Sequence, residues 1–139
     1  MQAQEKGLDG SKRERLEALK VAYLTKELSL TPEEAQSFWP LYNEMTKKMG
    51  ETRKQRRSNR LSAKRNHGEM SDEDLSKAID RELELEQQEL DLKKAYNARF
   101  KEILPIRKVA WLHHAEKGFR KELLKGAKDR TKIPGGPPH

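Results

Sequence analysis

The sequence predicts an all-α fold: an elongated four-helix protein built on a long antiparallel helix 2–helix 3 hairpin, and dimeric. Three observations carry that expectation. Apolar residues recur at helical spacing along the chain, and no segment alternates with the period of a strand. Helix starts are written out as capping boxes at Ser11-x-x-Glu14 and Thr31-x-x-Glu34, with a serine-led restart at Ser71. The composition, 33% hydrophobic and 38% charged, falls below the usual ~45–50% apolar and exceeds the usual ~25% charged. Such a chain cannot fill a large spherical core, so long amphipathic helices sharing apolar faces with a second subunit are the consistent solution.

Each element has its own signals. Helix 1 is expected from Ser11 to about Leu28, with Leu16, Leu19, Tyr23, Leu24 and Leu28 as its apolar face, after a flexible stretch over 1–10. Helix 2 opens at Thr31, the N-cap candidate, with Pro32 at the first helical position, where its missing N–H costs nothing. Behind it Phe38, Trp39, Leu41, Tyr42, Met45 and Met49 repeat at helical spacing, and Pro40 predicts a kink. The half from Gly50 to Gly68 has only Leu61 and Ala63 as aliphatic residues, so its helicity must rest on propensity and charge pairing. His67-Gly68-Glu69-Met70 reads as the turn, with Gly68 able to take positive φ. Helix 3 carries Leu75, Ile79, Leu83, Leu90, Tyr96, Phe100 and Ile103, and Pro105 ends or kinks it. Helix 4 follows with Ile106, Val109, Ala110, Leu112, Ala115, Phe119 and Leu123. A single domain over 1–131 and a disordered Pro/Gly tail over 132–139 complete the expectation.

Charge is unevenly spread. The net +7 hides a balance near −2 over 1–46, +8 over 47–68, −8 over 69–91 and +9 over 92–139. The two middle blocks face each other across one turn, which makes the run from Arg53 to Arg65 a solvated, ion-paired helix face in its plainest reading. Nucleic acid is the other obvious partner of clustered cations. No aromatic residue lies between Arg53 and Arg65 to stack on bases, and the acidic neighbour cancels much of the field. No nucleic-acid partner is therefore expected, and a basic nucleic-acid-binding hairpin is kept as the second alternative.

Other chemistries find little support. With no cysteine there is no thiolate or disulfide. Of the four histidines, adjacent His113 and His114 point about 100° apart on a helix and cannot chelate as an i, i+4 pair could. No metal and no cofactor is expected. Phosphate loops, His-Glu-x-x-His and nucleophile settings are missing, so the chain is not expected to be an enzyme. Phe38, Trp39 and Tyr42 are expected to pack against helix 1 and the Trp111–Phe119 face of helix 4, with Phe100 in the same core or dimer set. Met1-Gln-Ala-Gln-Glu-Lys6 has no apolar h-region and by itself points to the cytoplasm.

The start of helix 2 also resembles the Leu-Thr-x-x-Gln signature of the Spy/CpxP-like family of bacterial envelope-stress proteins. Leu30 and Thr31 match; Glu34 stands where the family usually has Gln, and Gln36 comes two residues late. Ile103-Leu-Pro-Ile-Arg-Lys108 sits where a second, degraded copy is expected. Ala22-Tyr-Leu-Thr-Lys-Glu-Leu28 and Phe38-Trp-Pro-Leu-Tyr-Asn43 resemble a branch often labelled sensor of ECF-type sigma factor. The resemblance implies a periplasmic, all-helical, ATP-independent chaperone or stress protein, whose export signal has been removed. It further implies a homodimer that binds unfolded or envelope proteins on a basic surface with apolar patches. Here that surface would be Met45, Met49, Arg53, Arg56, Arg57, Arg60 and Leu61. The first alternative is a stress- or metal-sensor-type regulator binding one dedicated partner, such as a membrane anti-sigma factor.

Overall fold

The computed structural model describes the backbone of residues 2–132 and the side chains of residues 10–126. The tail expectation beyond Lys132, His139 included, lies outside the described residues. Within them the chain is all-α: α1 (Gln2–Leu28), α2 (Pro32–Asn66), α3 (Asp72–Ile103) and α4 (Ile106–Lys132). No helix of the described residues is long and apolar enough to cross a membrane. The contacts divide into two compact units: Met1–Ala35 with Pro105–His139, and Gln36–Leu104.

In the first unit α1 packs on α4. The helix begins well before the predicted start, with Ser11 and Glu14 inside it, so the cap signal there is not used. Leu24, Leu28, Val109, Leu112, Ala115 and Phe119 are buried. Tyr23 meets Phe119 with ring centroids 5.5 Å apart. It can do so because residue 118 is glycine: a Cβ there would lie 2.5 Å from the Tyr23 hydroxyl oxygen. Desolvation, followed by nearby Glu27 and Glu122, pushes the Tyr23 hydroxyl above its ordinary range. Trp111 departs from the expected core, since it is 47% exposed and stacks on His114 at 4.3 Å.

The α1–α2 corner is a Schellman motif. Ser29 N–H donates to Lys26 O and Leu30 N–H to Thr25 O, both at 3.1 Å. Ser29 occupies the left-handed position at φ 49°, where glycine is the usual choice.

In the second unit α2 and α3 form the predicted hairpin. Phe38 is fully buried and contacts the rings of Trp39, Tyr42 and Phe100 at 4.9, 5.3 and 5.4 Å. The helix continues through Pro40. Met45, Met49 and Thr52 of α2, with Leu85, Glu89, Tyr96 and Phe100 of α3, carry the buried interface onward. Tyr96 Oη donates to Glu44 Oε2 at 2.6 Å and Arg99 Nη1 to the same oxygen at 2.9 Å, which holds the Glu44 carboxyl below its ordinary range.

At the turn Glu69 and Met70 N–H both donate to Asn66 O. Ser71 caps α3 by accepting from Asp74 N–H at 3.1 Å. Gly68 does not use the positive φ its presence suggests, and a Cβ there would meet nothing within 4 Å. α3 stops at Ile103 because Leu104, preceding a proline, is extended at φ −131° and ψ 151°.

Candidate functional site

The basic run separates into two sets once α2 is paired with α3. Arg56 faces inward, 18% exposed, and is the hub of the interface. Its Nη2 and Nε donate to Glu82 Oε1 at 3.0 and 3.1 Å, Nη2 reaches Glu86 Oε1 at 3.2 Å, and Nη1 lies 3.0 Å from Glu89 Oε1. Hydrogen bonds to Glu89 and Glu82 raise the Arg56 guanidinium above even its ordinary range. The planar fork explains why arginine holds this place: it reaches three carboxylates from one side chain, although Glu82 Oε2 and Glu89 Oε1 are buried without a well-formed hydrogen bond. Asn59 Nδ2 donates to Ala78 O at 3.0 Å, and Arg81 Nη2 to Gln55 Oε1 at 3.0 Å, adding polar ties along the same seam.

Arg53 and Arg60 are held loosely, with Nε 3.5 Å from Glu89 Oε1 and 3.7 Å from Glu82 Oε1 respectively, and both are exposed. Arg57, four residues from Arg53 and three from Arg60, shares their edge of the helix and is exposed too. Leu61 is also exposed. Met45 and Met49 are buried in the hairpin, so of the residues the resemblance suggested for polypeptide contact they are core and Arg56 is structural.

The apolar part of the exposed edge comes from α3. Ile79 and Leu83 are 63% and 58% exposed, and Leu90 follows at the same face. The spacing predicts a helix 3 carrying Ile79, Leu83 and Leu90 together with Tyr96 and Phe100; the inward-facing stripe keeps Tyr96 and Phe100 but toward the turn runs one position away, through Ala78, Glu82, Leu85 and Glu89. The ion-pair partners Glu82 and Glu89 take up core-facing positions that a hydrophobicity pattern would never choose. Arg60, Ile79 and Leu83 line one groove of about 440 Å³ at the turn end of the hairpin, so cations and aliphatics share that edge. From Arg53 to Lys64 and from Ile79 to Leu90 each row runs about 16 Å at ~1.5 Å per residue.

Thr31 and Glu34 of the signature form a separate polar node in the other unit. Thr31 N–H donates to Glu34 Oε1 at 2.9 Å and Glu34 N–H to Thr31 Oγ1 at 3.1 Å, the predicted capping box. Lys108 Nζ donates to Glu34 Oε1 at 2.6 Å and to Ser29 O at 2.7 Å. One ammonium thus ties the first turn of α4 to the α1–α2 corner. The Lys108 hydrogen bond, then that from Thr31, keeps the Glu34 carboxyl below its ordinary range. A charged Glu34 was the visible signal for a cation partner, but nothing local says which cation. Leu30 is half-buried and Gln36 exposed.

Among the described residues no group of three His, Cys, Asp or Glu side chains is placed to hold a metal ion. In comparisons with protein-family models, curated proteins and solved structures, nothing matches the chain.

Proposed function

We propose that the chain binds unfolded or partly folded polypeptides, without ATP and without covalent chemistry, through the basic and aliphatic edge of the α2–α3 hairpin. The observation that carries this reading is the side-by-side exposure of Arg53, Arg57 and Arg60 with Ile79, Leu83 and Leu90. Isolated exposed apolar residues are ordinary; rows of them beside a row of cations mark an interaction surface. Long basic side chains supply both charge and apolar stem, a combination that tolerates varied partners. A periplasmic setting and a role in envelope stress rest on the Leu-Thr-x-x-Gln resemblance alone. A homodimer belongs to the same reading, motivated by further exposed aliphatics at Leu16, Leu19, Ile106 and Leu124.

The test is suppression of aggregation of two unrelated client proteins, followed by light scattering at low and moderate salt. Both clients are protected at equimolar chain. Replacing Arg53, Arg57 and Arg60 by Ser reduces protection mainly at low salt, whereas replacing Ile79, Leu83 and Leu90 by Ser abolishes it at both. Protection of neither client would sink the reading and favour a regulator with a single dedicated partner.

A further inference from the structure

We infer that the turn end of the hairpin holds a site for a fatty-acid-type ligand, a single alkyl chain with a carboxylate head. The inference goes beyond polypeptide binding and stands without it. Its basis is an interhelical slot that the fold leaves unfilled. Nearer the aromatic cluster, Met45, Met49, Leu85 and Tyr96 are buried and close the α2–α3 interface. Toward the turn the matching positions are Ala63 and Ala78, whose short side chains leave a groove walled by Leu75, Ile79 and Leu83. Its volume, about 440 Å³, lies within the ~300–1,000 Å³ usual for small-molecule sites. Leu75 to Leu83 extends about 12 Å at ~1.5 Å per residue, the reach of a medium-length alkyl chain.

The chemistry of the walls selects the occupant. A peptide can rest side chains on the outer edge, but a peptide backbone seated inside the slot would need partners for its N–H and C=O groups. The walls offer few, because Asn59 Nδ2 is already bonded to Ala78 O at 3.0 Å, Glu82 Oε1 is engaged by Arg56, and the unpartnered Glu82 Oε2 is buried out of a peptide's reach. An alkyl chain needs no such partners, and it would cover the aliphatic surface of Ile79 and Leu83 that now faces water. The head is fixed by Arg60 at the rim. Its side chain is 62% exposed and held only through Nε at 3.7 Å from Glu82, and a guanidinium fork matches a carboxylate in a bidentate pair. His67 lines the same groove. The carboxylate on the wall, Glu82, gives one oxygen to Arg56 at 3.0 Å, while its second oxygen is buried without a hydrogen-bond partner; the anionic head therefore sits at the exposed rim on Arg60, away from that oxygen.

The experiment is titration of the full chain with dansyl-undecanoate, read by its fluorescence, with dodecanoate and dodecanol as competitors below their micellar range. One saturable site per chain is expected, and dodecanoate displaces the probe. Ala78→Leu fills the slot with a strong helix former and weakens binding at least about tenfold. Arg60→Gln leaves the fold and dodecanol competition unchanged but removes a roughly tenfold preference for the acid, the scale of one charged hydrogen bond. Absence of saturable binding, or affinity unchanged by both substitutions, would overturn the proposal. So would self-association of the ligand-free chain that Ala78→Leu abolishes and dodecanoate leaves intact, which would give the slot to a second copy.

Discussion

Two residues of this chain occupy each other's customary places. Ser29 holds the left-handed C′ position of a Schellman motif, whereas Gly68 sits in a turn that asks nothing of a glycine. Ser29→Gly should therefore stabilise the chain by about 0.5–1 kcal/mol, since a left-handed non-glycine residue costs ~1–2 kcal/mol and a mobile unfolded glycine returns part of it. Gly68→Ala should also stabilise, by roughly 0.4–1 kcal/mol, by narrowing the unfolded ensemble. Gly118→Ala goes the other way: its Cβ would collide with the Tyr23 hydroxyl, and overpacking of about 1–3 kcal/mol against alanine's helix gain of about 1 kcal/mol leaves a net loss of up to about 2 kcal/mol. Urea denaturation of the three variants checks all three signs. A glycine count in the sequence could not rank them, because the demand on each site is set by its φ and its neighbours.

At the scale of the element, α2 has two halves held by different forces. From Phe38 to Met49 it buries aromatic and thioether side chains; beyond Thr52 its partners are mostly carboxylates. Arg56 and Arg57 are neighbours in sequence and equal in charge, yet only Arg56 meets Glu82, Glu86 and Glu89. Arg56→Ala leaves half-buried carboxylates crowded together and should lower Tm by several degrees, while Arg57→Ala leaves it unchanged. Circular dichroism melts of the two variants decide it, and equal effects would mean the seam is not organised by Arg56. The opposite charge blocks in the sequence predicted that these helices would pair. They could not say which arginines turn inward, because the register is fixed by packing of Met49, Leu85 and Tyr96 upstream.

At the scale of the whole molecule, among the described residues each compact unit carries one carboxylate whose pKa is lowered, Glu34 in one and Glu44 in the other. Both have pKa values lowered from the ordinary 4.5. The unfolded chain therefore takes up these protons first as pH falls. Their stabilisation is complete above about pH 4.5 and disappears as pH drops through the lower folded-state values. Tm should fall steeply on acidification below that point, and Glu34→Gln and Glu44→Gln should each flatten the fall while lowering Tm at neutral pH. Differential scanning calorimetry between pH 2 and 7 measures both, with the range chosen to bracket ordinary carboxylates. Glu34→Gln is informative twice over. It installs a side chain still able to close the capping box, yet it removes the charge that Lys108 meets.

By itself the sequence determined the all-α class, the four helices, the hairpin turn near Gly68, the Thr31–Glu34 capping box and the pairing of basic with acidic segments. These are local or nearest-neighbour properties, readable from spacing, caps and charge blocks. Tertiary structure alone decided the division into two units, the tie from Lys108 to Glu34 and the inward turn of Arg56. It also decided that Ile79, Leu83 and Leu90 face outward while Glu82 and Glu89 face in. The physical reason is that, from Ala78 to Glu89, the buried face of α3 lies one position away from its aliphatic row. A stripe of leucines and isoleucine predicts its own burial only when apolar contact sets the rotation of the helix. Here Tyr96 and Phe100 at one end and the Arg56 cluster at the other set it, and the aliphatic row was left on the surface where an interaction face could be built.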